Sequence, residues 1–151
     1  MSLISNPRAQ EELRAEWEGA GRMRARMMRH VSGAFAGLPQ PGLAQASYNL
    51  PLLLAFDVLK QALMQAEAED HFHSESDALG ALMAAAKDKI EWIDYDALFE
   101  AEARRNAIAH DGKLFDADVC LRDIESIENQ LHAWNVLQGE IRDVDSYIID
   151  E

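Results

Sequence analysis

The stretch Asp94–Gly112, DYDALFEAEARRNAIAHDG, reads as one complete helix with both of its ends marked. Asp94 or a neighbour can cap it, the helix ends near His110 with Gly112 as its stop, and no proline interrupts. At about 100° per residue, Tyr95, Leu98, Phe99, Glu102, Arg105, Asn106, Ala109 and His110 fall along one strip. The first half of that strip is apolar and the second half is polar. A purely structural helix keeps such a strip apolar or turns its polar groups to the other side. Here one face passes from core into a cluster of Glu102, Arg105, Asn106 and His110, so the stretch is both a core helix and a candidate site. Asn106 and His110 lie about 40° apart and can meet. Arg105 and His110 lie about 140° apart, so a regular helix does not aim them at one point. Either the last turn is distorted or the centre takes its groups from two helices, and a symmetric dimer supplies the second.

Outward from this helix, the chain shows four more helical segments and no convincing strand, which predicts an all-α, up-and-down bundle of about five helices. The first covers about Pro7 to Ala36, with Asn6 as cap and Pro7 in the first turn. Its stripe is Leu13, Trp17, Ala20, Met27, Val31 and Ala34, and Gly19 and Gly21 allow a bend. GLPQPG at 37–42 closes it. The second runs from about Leu50 to Glu67, with Asn49 able to cap it. Leu52, Phe56, Leu59, Leu63 and Ala66 make one stripe, and Leu54 and Val58 part of another; a helix apolar on two sides is central, or shared with a partner. The polar EAEDHFHSESD at 67–77 reads as a loop. Ser76 or Asp77 then caps a third helix with Leu79, Leu82, Met83, Ala86 and Ile90 on one face. Asp116 or Asp118 opens the last, where Cys120, Ile124, Ile127, Leu131, Trp134 and Ile141 keep a 4-3 rhythm. Residues 1–142 are expected to form a single domain, with an acidic tail at 143–151.

Composition sets limits on partners. The 151 residues carry a net charge of −13, unevenly spread. Residues 1–38 hold six arginines against four glutamates, a net of +2; the rest holds eight basic against 23 acidic side chains, a net of −15. Such a chain repels nucleic acid at long range, so RNA binding needs a local basic patch, and the acid suggests a basic protein partner. The longest nearly apolar run, Leu50–Leu59, contains Asp57 and falls far short of the ~20 residues that span a bilayer. No membrane is expected as a partner. A lone cysteine, Cys120, within an apolar pattern reads as a core residue and fits a reducing, cytoplasmic setting.

The residue types in the cluster suit phosphodiester cleavage without a metal. Histidine moves protons near neutrality, and arginine offers phosphate a planar, permanent cation that stabilises charge in a five-coordinate transition state. RNA brings its own nucleophile, the ribose 2′-hydroxyl. The order Arg105-Asn106-x-x-x-His110 resembles the R-N-x-x-x-H motif of the HEPN family, small α-helical proteins that include metal-independent ribonuclease toxins. The longer run from Leu79 to His110, a short apolar helix, the IDYD turn and then the motif helix, is similar to the corresponding part of such proteins. The resemblance implies an HEPN-like fold and a homodimer with its active site at the two-fold interface. It further implies an endoribonuclease, of the toxin or antiviral kind, that leaves a cyclic phosphate and is restrained by an antitoxin or other regulatory protein. Carried onto this chain, Arg105, His110 and Asn106 are the expected catalytic residues, with Glu102 in support and no cofactor. Arg104 and Lys113 flank the motif as expected RNA contacts. Family toxins silenced by AMP-adding antitoxins carry a tyrosine two residues after the histidine; Gly112 stands there, so that form of control is not implied. The family also contains non-catalytic members, and a dimeric interaction module is the alternative.

Other candidates read as structure. Arg22, Arg26 and Arg29 share a face that reads as solvated rather than as a phosphate track. Glu69, Asp70, His71, His73 and Glu75 are metal-ligand types crowded on a loop without a di-iron helix motif, so no metal site is expected. Trp17, Trp92 and Trp134 read as core or interface residues rather than stacking platforms.

Overall fold

The computed structural model describes residues 2–34 and 48–137, with the backbone alone for 24 and 26–34. The described residues form an all-α bundle of five helices: α1 Pro7–Ala34, α2 Asn49–Ala68, α3 Leu79–Ala86, α4 Tyr95–Asp111 and α5 Ala117–Ala133. No strand occurs among them. The expected 37–42 turn, residues 35 and 36, Ile141 and the 143–151 tail lie outside the described residues.

α2 is the centre. It packs against all four other helices. Phe56, Leu52, Leu59 and Leu63 are completely or almost completely buried, each stabilising the fold by roughly 1.5–3 kcal/mol relative to exposure. Val58, on the second stripe, is buried as well. Leu54 on that second stripe is only partly buried, and Leu50 at the start of α2 is 49% exposed, so the second apolar face is covered in part. α5 lays Cys120, Ile124, Ile127 and Leu131 on α2. Trp134 also reaches the core, but from just past the end of the helix.

The helix ends follow local chemistry, with two corrections. Asn6 caps α1: its Oδ1 accepts from the backbone N–H groups of Arg8 and Ala9 at 3.0 and 3.2 Å. α1 runs on through Gly19 and Gly21 without interruption. Asn49, expected as a cap, is instead the first residue of α2. Its amide donates to the Phe115 carbonyl and accepts from the Phe115 N–H, both at 2.9 Å, clipping the α4–α5 turn to the start of α2. Neither Ser76 nor Asp77 caps α3; Ala78 precedes it, and Ser76 Oγ accepts from the Ala78 N–H within the loop. α3 is correspondingly short and ends before Ile90.

Candidate functional site

α4 is framed as its sequence requires. The Asp94 carboxylate accepts from the Ala97 N–H at 3.1 Å, covering a donor that the first turn leaves open. Gly112 closes the helix at φ +65°, and Lys113 N–H reaches back to the Ala107 carbonyl at 3.1 Å. Glycine takes this left-handed conformation without strain. The last turn is therefore complete, and His110 stands in it, one residue before the helix ends at Asp111.

The two neighbouring arginines separate. Arg104 turns to α5, where Nε and Nη2 meet the two oxygens of Asp123 at 2.7 and 2.8 Å. Asp123 is only 2% exposed, set beside the apolar stripe of α5 to which Cys120 and Ile124 belong. That bond raises the Arg104 pKa above its ordinary value, against the opposing effect of burial. The planar fork is committed within the fold.

Arg105 lies on the side of α4 that runs towards α3. Its Nη1 donates to Asn106 Oδ1 at 3.0 Å, and Asn106 Nδ2 donates to Glu102 Oε1 at 2.7 Å. Glu102 is 9% exposed. Arg105 Nε is buried and has no hydrogen-bond partner among the described residues. Leaving a buried donor open costs about 1–3 kcal/mol, so the open Nε calls for an explanation. His110 and Lys113 are exposed. Lys113 Nζ sits 5.2 Å from the centre of the Phe115 ring. The structure thus joins Glu102, Asn106 and Arg105 in one network. Arg105 and His110 do not meet within the chain, in keeping with their separation of about 140°. The spacing of about 40° between Asn106 and His110 brings no hydrogen bond between them either, Asn106 being engaged by Glu102 and Arg105.

The apolar half of the strip leads from core to surface. Trp134, Trp92, Tyr95 and Phe99 make successive ring contacts, with centroids 4.9, 5.1 and 6.1 Å apart. Phe99 ends the series 52% exposed. Burial, aided by Glu102, Asp96 and Asp88, raises the Tyr95 pKa and keeps it a neutral phenol. Trp17 and Trp134 are buried and Trp92 is partly so. Burial pushes the Cys120 thiol up to about 11, which leaves it inert as a nucleophile.

Among the described residues no group of three or more His, Cys, Asp or Glu is placed to hold a metal ion, and no helix is long and apolar enough to cross a membrane. Two participants escaped the sequence reading. Gly80 interrupts the strong helix formers of LGALMAAA and was visible as a local exception, whereas Asp123 stands beside an unbroken apolar stripe and gave no such signal. No protein family, curated protein or solved structure matches the chain.

Proposed function

We propose that the protein is a metal-independent endoribonuclease of HEPN type that acts as a homodimer, with Arg105 and His110 as its working pair. The observation that carries this reading is the open Nε of Arg105, a buried cationic donor held by Asn106 on the same helix that presents an exposed His110. In this mechanism the ribose 2′-hydroxyl attacks the adjacent phosphorus, and the P–O5′ bond breaks. The products are a 2′,3′-cyclic phosphate and a 5′-hydroxyl. His110 handles the proton that leaves the 2′-oxygen and the one that the 5′-oxygen gains. Arg105 stabilises the charge on the phosphoryl oxygens at the five-coordinate stage.

A dimer resolves the angle between the two groups, because Arg105 of one protomer can face His110 of its partner. The exposed Phe99 gives α4 an apolar spot from which such a contact can start. Lys113, exposed beside the Phe115 ring, can meet the phosphate backbone, whereas Arg104 supports the site by fixing α4 to α5. An antitoxin or regulator with a basic face would suit a chain of net charge −13.

One observation favours a second reading. Arg105 Nη1 is held by Asn106 within the same chain, as in a network that only shapes an interaction surface. The test is incubation of purified protein with a single-stranded RNA, in buffer with and without EDTA, beside light scattering. The ribonuclease reading expects cleavage to cyclic phosphate ends, unchanged by EDTA, from a particle of twice 16.9 kDa. A dimer that leaves RNA intact favours the interaction module. A monomer at micromolar concentration counts against both.

A further inference from the structure

We infer that α3, which carries none of the motif residues, sets the aim of Arg105 through Gly80, Glu102 and Asn106. The inference rests on the ribonuclease reading of the site. The chain of contacts is continuous. A Cβ at Gly80 would stand 3.2 Å from Glu102 Oε1, so α3 and the Glu102 carboxylate are already in close approach. That same oxygen accepts from Asn106 Nδ2 at 2.7 Å. With its N–H₂ group so fixed, the Asn106 amide turns its Oδ1 to Arg105 Nη1 at 3.0 Å. An amide has one acceptor oxygen and one donor nitrogen at opposite corners, so Glu102 determines which way Asn106 faces. Asn106 is then a positioning residue, and of the two it is Arg105 that meets the phosphate undergoing attack.

The glycine is what makes the slot. Gly80 sits in the first turn of a helix otherwise built from alanine, leucine and methionine, where glycine is a poor helix former. A methyl group there presses on the one oxygen that orients Asn106 and on little else that the close approach involves. Stability and catalysis should therefore move in opposite directions on Gly80→Ala. The variant is expected to melt at or above the wild-type temperature, because alanine favours the helix. Its kcat on a single-stranded RNA is expected to fall by up to about a hundredfold, the scale of an ångström-sized misplacement of a catalytic group, with KM little changed.

The experiment compares wild type, Gly80→Ala, Glu102→Gln and Glu102→Ala by melting, by RNA cleavage, and by the NMR signal of the Arg105 Nε–H. Glu102→Gln keeps an acceptor oxygen and should lose clearly less rate than Glu102→Ala. Glu102→Ala removes it and should lose kcat as Gly80→Ala does. In the folded wild type the buried Arg105 Nε–H should exchange slowly with water. In both damaging variants it should exchange faster. Folded Gly80→Ala and Glu102→Ala proteins that cut at the wild-type rate and keep the slow signal overturn the inference. A wild type that cuts no RNA, with the NMR changes as expected, overturns the ribonuclease reading and leaves the positioning chain standing. A wild type that cuts RNA, with an Nε–H indifferent to position 80 and to Glu102, does the reverse.

Discussion

Arg104 and Arg105 are adjacent in sequence and differ in everything that decides a role. Arg104 faces α5 and closes on Asp123 through two bonds, with both carboxylate oxygens answered. Arg105 faces the α3 side, is held at one nitrogen by Asn106, and keeps a buried Nε open. A closed ion pair fixes two helices and commits two of the five guanidinium donors to the fold. An open network carries the cost of an unanswered donor, which a phosphate oxygen can answer. The difference separates a cation tied into the fold from the one on which the proposed ribonuclease reading rests, and each substitution below strains one side of it.

The largest effect is expected at the open side. His110→Ala should lower RNA cleavage by roughly 10²–10⁴-fold, the usual worth of a general acid–base group. His110 is exposed on a completed helix, so the change should shift stability by no more than about 0.5 kcal/mol. Arg105→Ala should cost about 10²–10³ in kcat, and Arg105→Lys should recover only part of it, since an ammonium lacks the planar fork. The assay is single-stranded RNA cleavage with a melting curve for each variant. A folded His110→Ala protein that cuts as fast as wild type would remove the motif from the chemistry.

The closed side should respond in stability instead. Arg104→Met leaves Asp123 buried without its cation. Breaking a fully buried pair costs 3–5 kcal/mol, and the partial exposure of Arg104 reduces this to about 2–3 kcal/mol. Denaturant unfolding measures it. Arg104→Met/Asp123→Leu should regain most of the loss, because the two helices then meet through apolar groups. Among molecules that remain folded, cleavage by Arg104→Met should drop far less than by Arg105→Ala. An Arg104→Met protein as stable as wild type but unable to bind RNA would reverse the two roles.

How much of this the sequence reveals depends on the range of the forces involved. The five helices were legible because an apolar stripe at 3.6-residue spacing is a local pattern, and the caps at Asn6 and Asp94 and the stop at Gly112 are local too. The α3 cap was misread because Ser76 had another local bond available, inside the loop. Asn49 was misread because its partner is Phe115, 66 residues away. The candidate cluster was legible as a polar end to an apolar strip. Its bonding was not, since about 100° of helix rotation places Arg104 before α5 and Arg105 on the other side. Which groups wait there, Asp123 or the Glu102–Asn106 pair, is decided by how three helices pack.

The smallest effect concerns another closed network, at the far end of α2, and it sharpens the comparison through pH. Glu69 accepts from the Ser5 N–H and hydroxyl and from Gln65 Nε2, tying the N-terminal segment to the end of α2. Burial pushes its carboxyl pKa upward, but the bonds from Ser5, Gln65 and Asn6 prevail and bring it down to about 2 from an ordinary 4.5. A folded-state pKa below the unfolded one means that the unfolded chain takes up the proton first. The stabilisation is thus fully present above about pH 4.5 and is lost as pH falls through that value towards 2. Glu69 is partly exposed and its bonds compete with water, so the effect should be modest. Glu69→Gln keeps an acceptor but not the charge. It should melt slightly below wild type at pH 7, and the gap should close as pH approaches 2.5. RNA cleavage at pH 7 should be unchanged, because this network has no open group and lies outside the Arg105 chain. Melting temperatures of the two proteins between pH 2.5 and 7 decide it. A gap that persists unchanged at the acid end would mean that packing at the Glu69 side chain, not its charge, holds the segment.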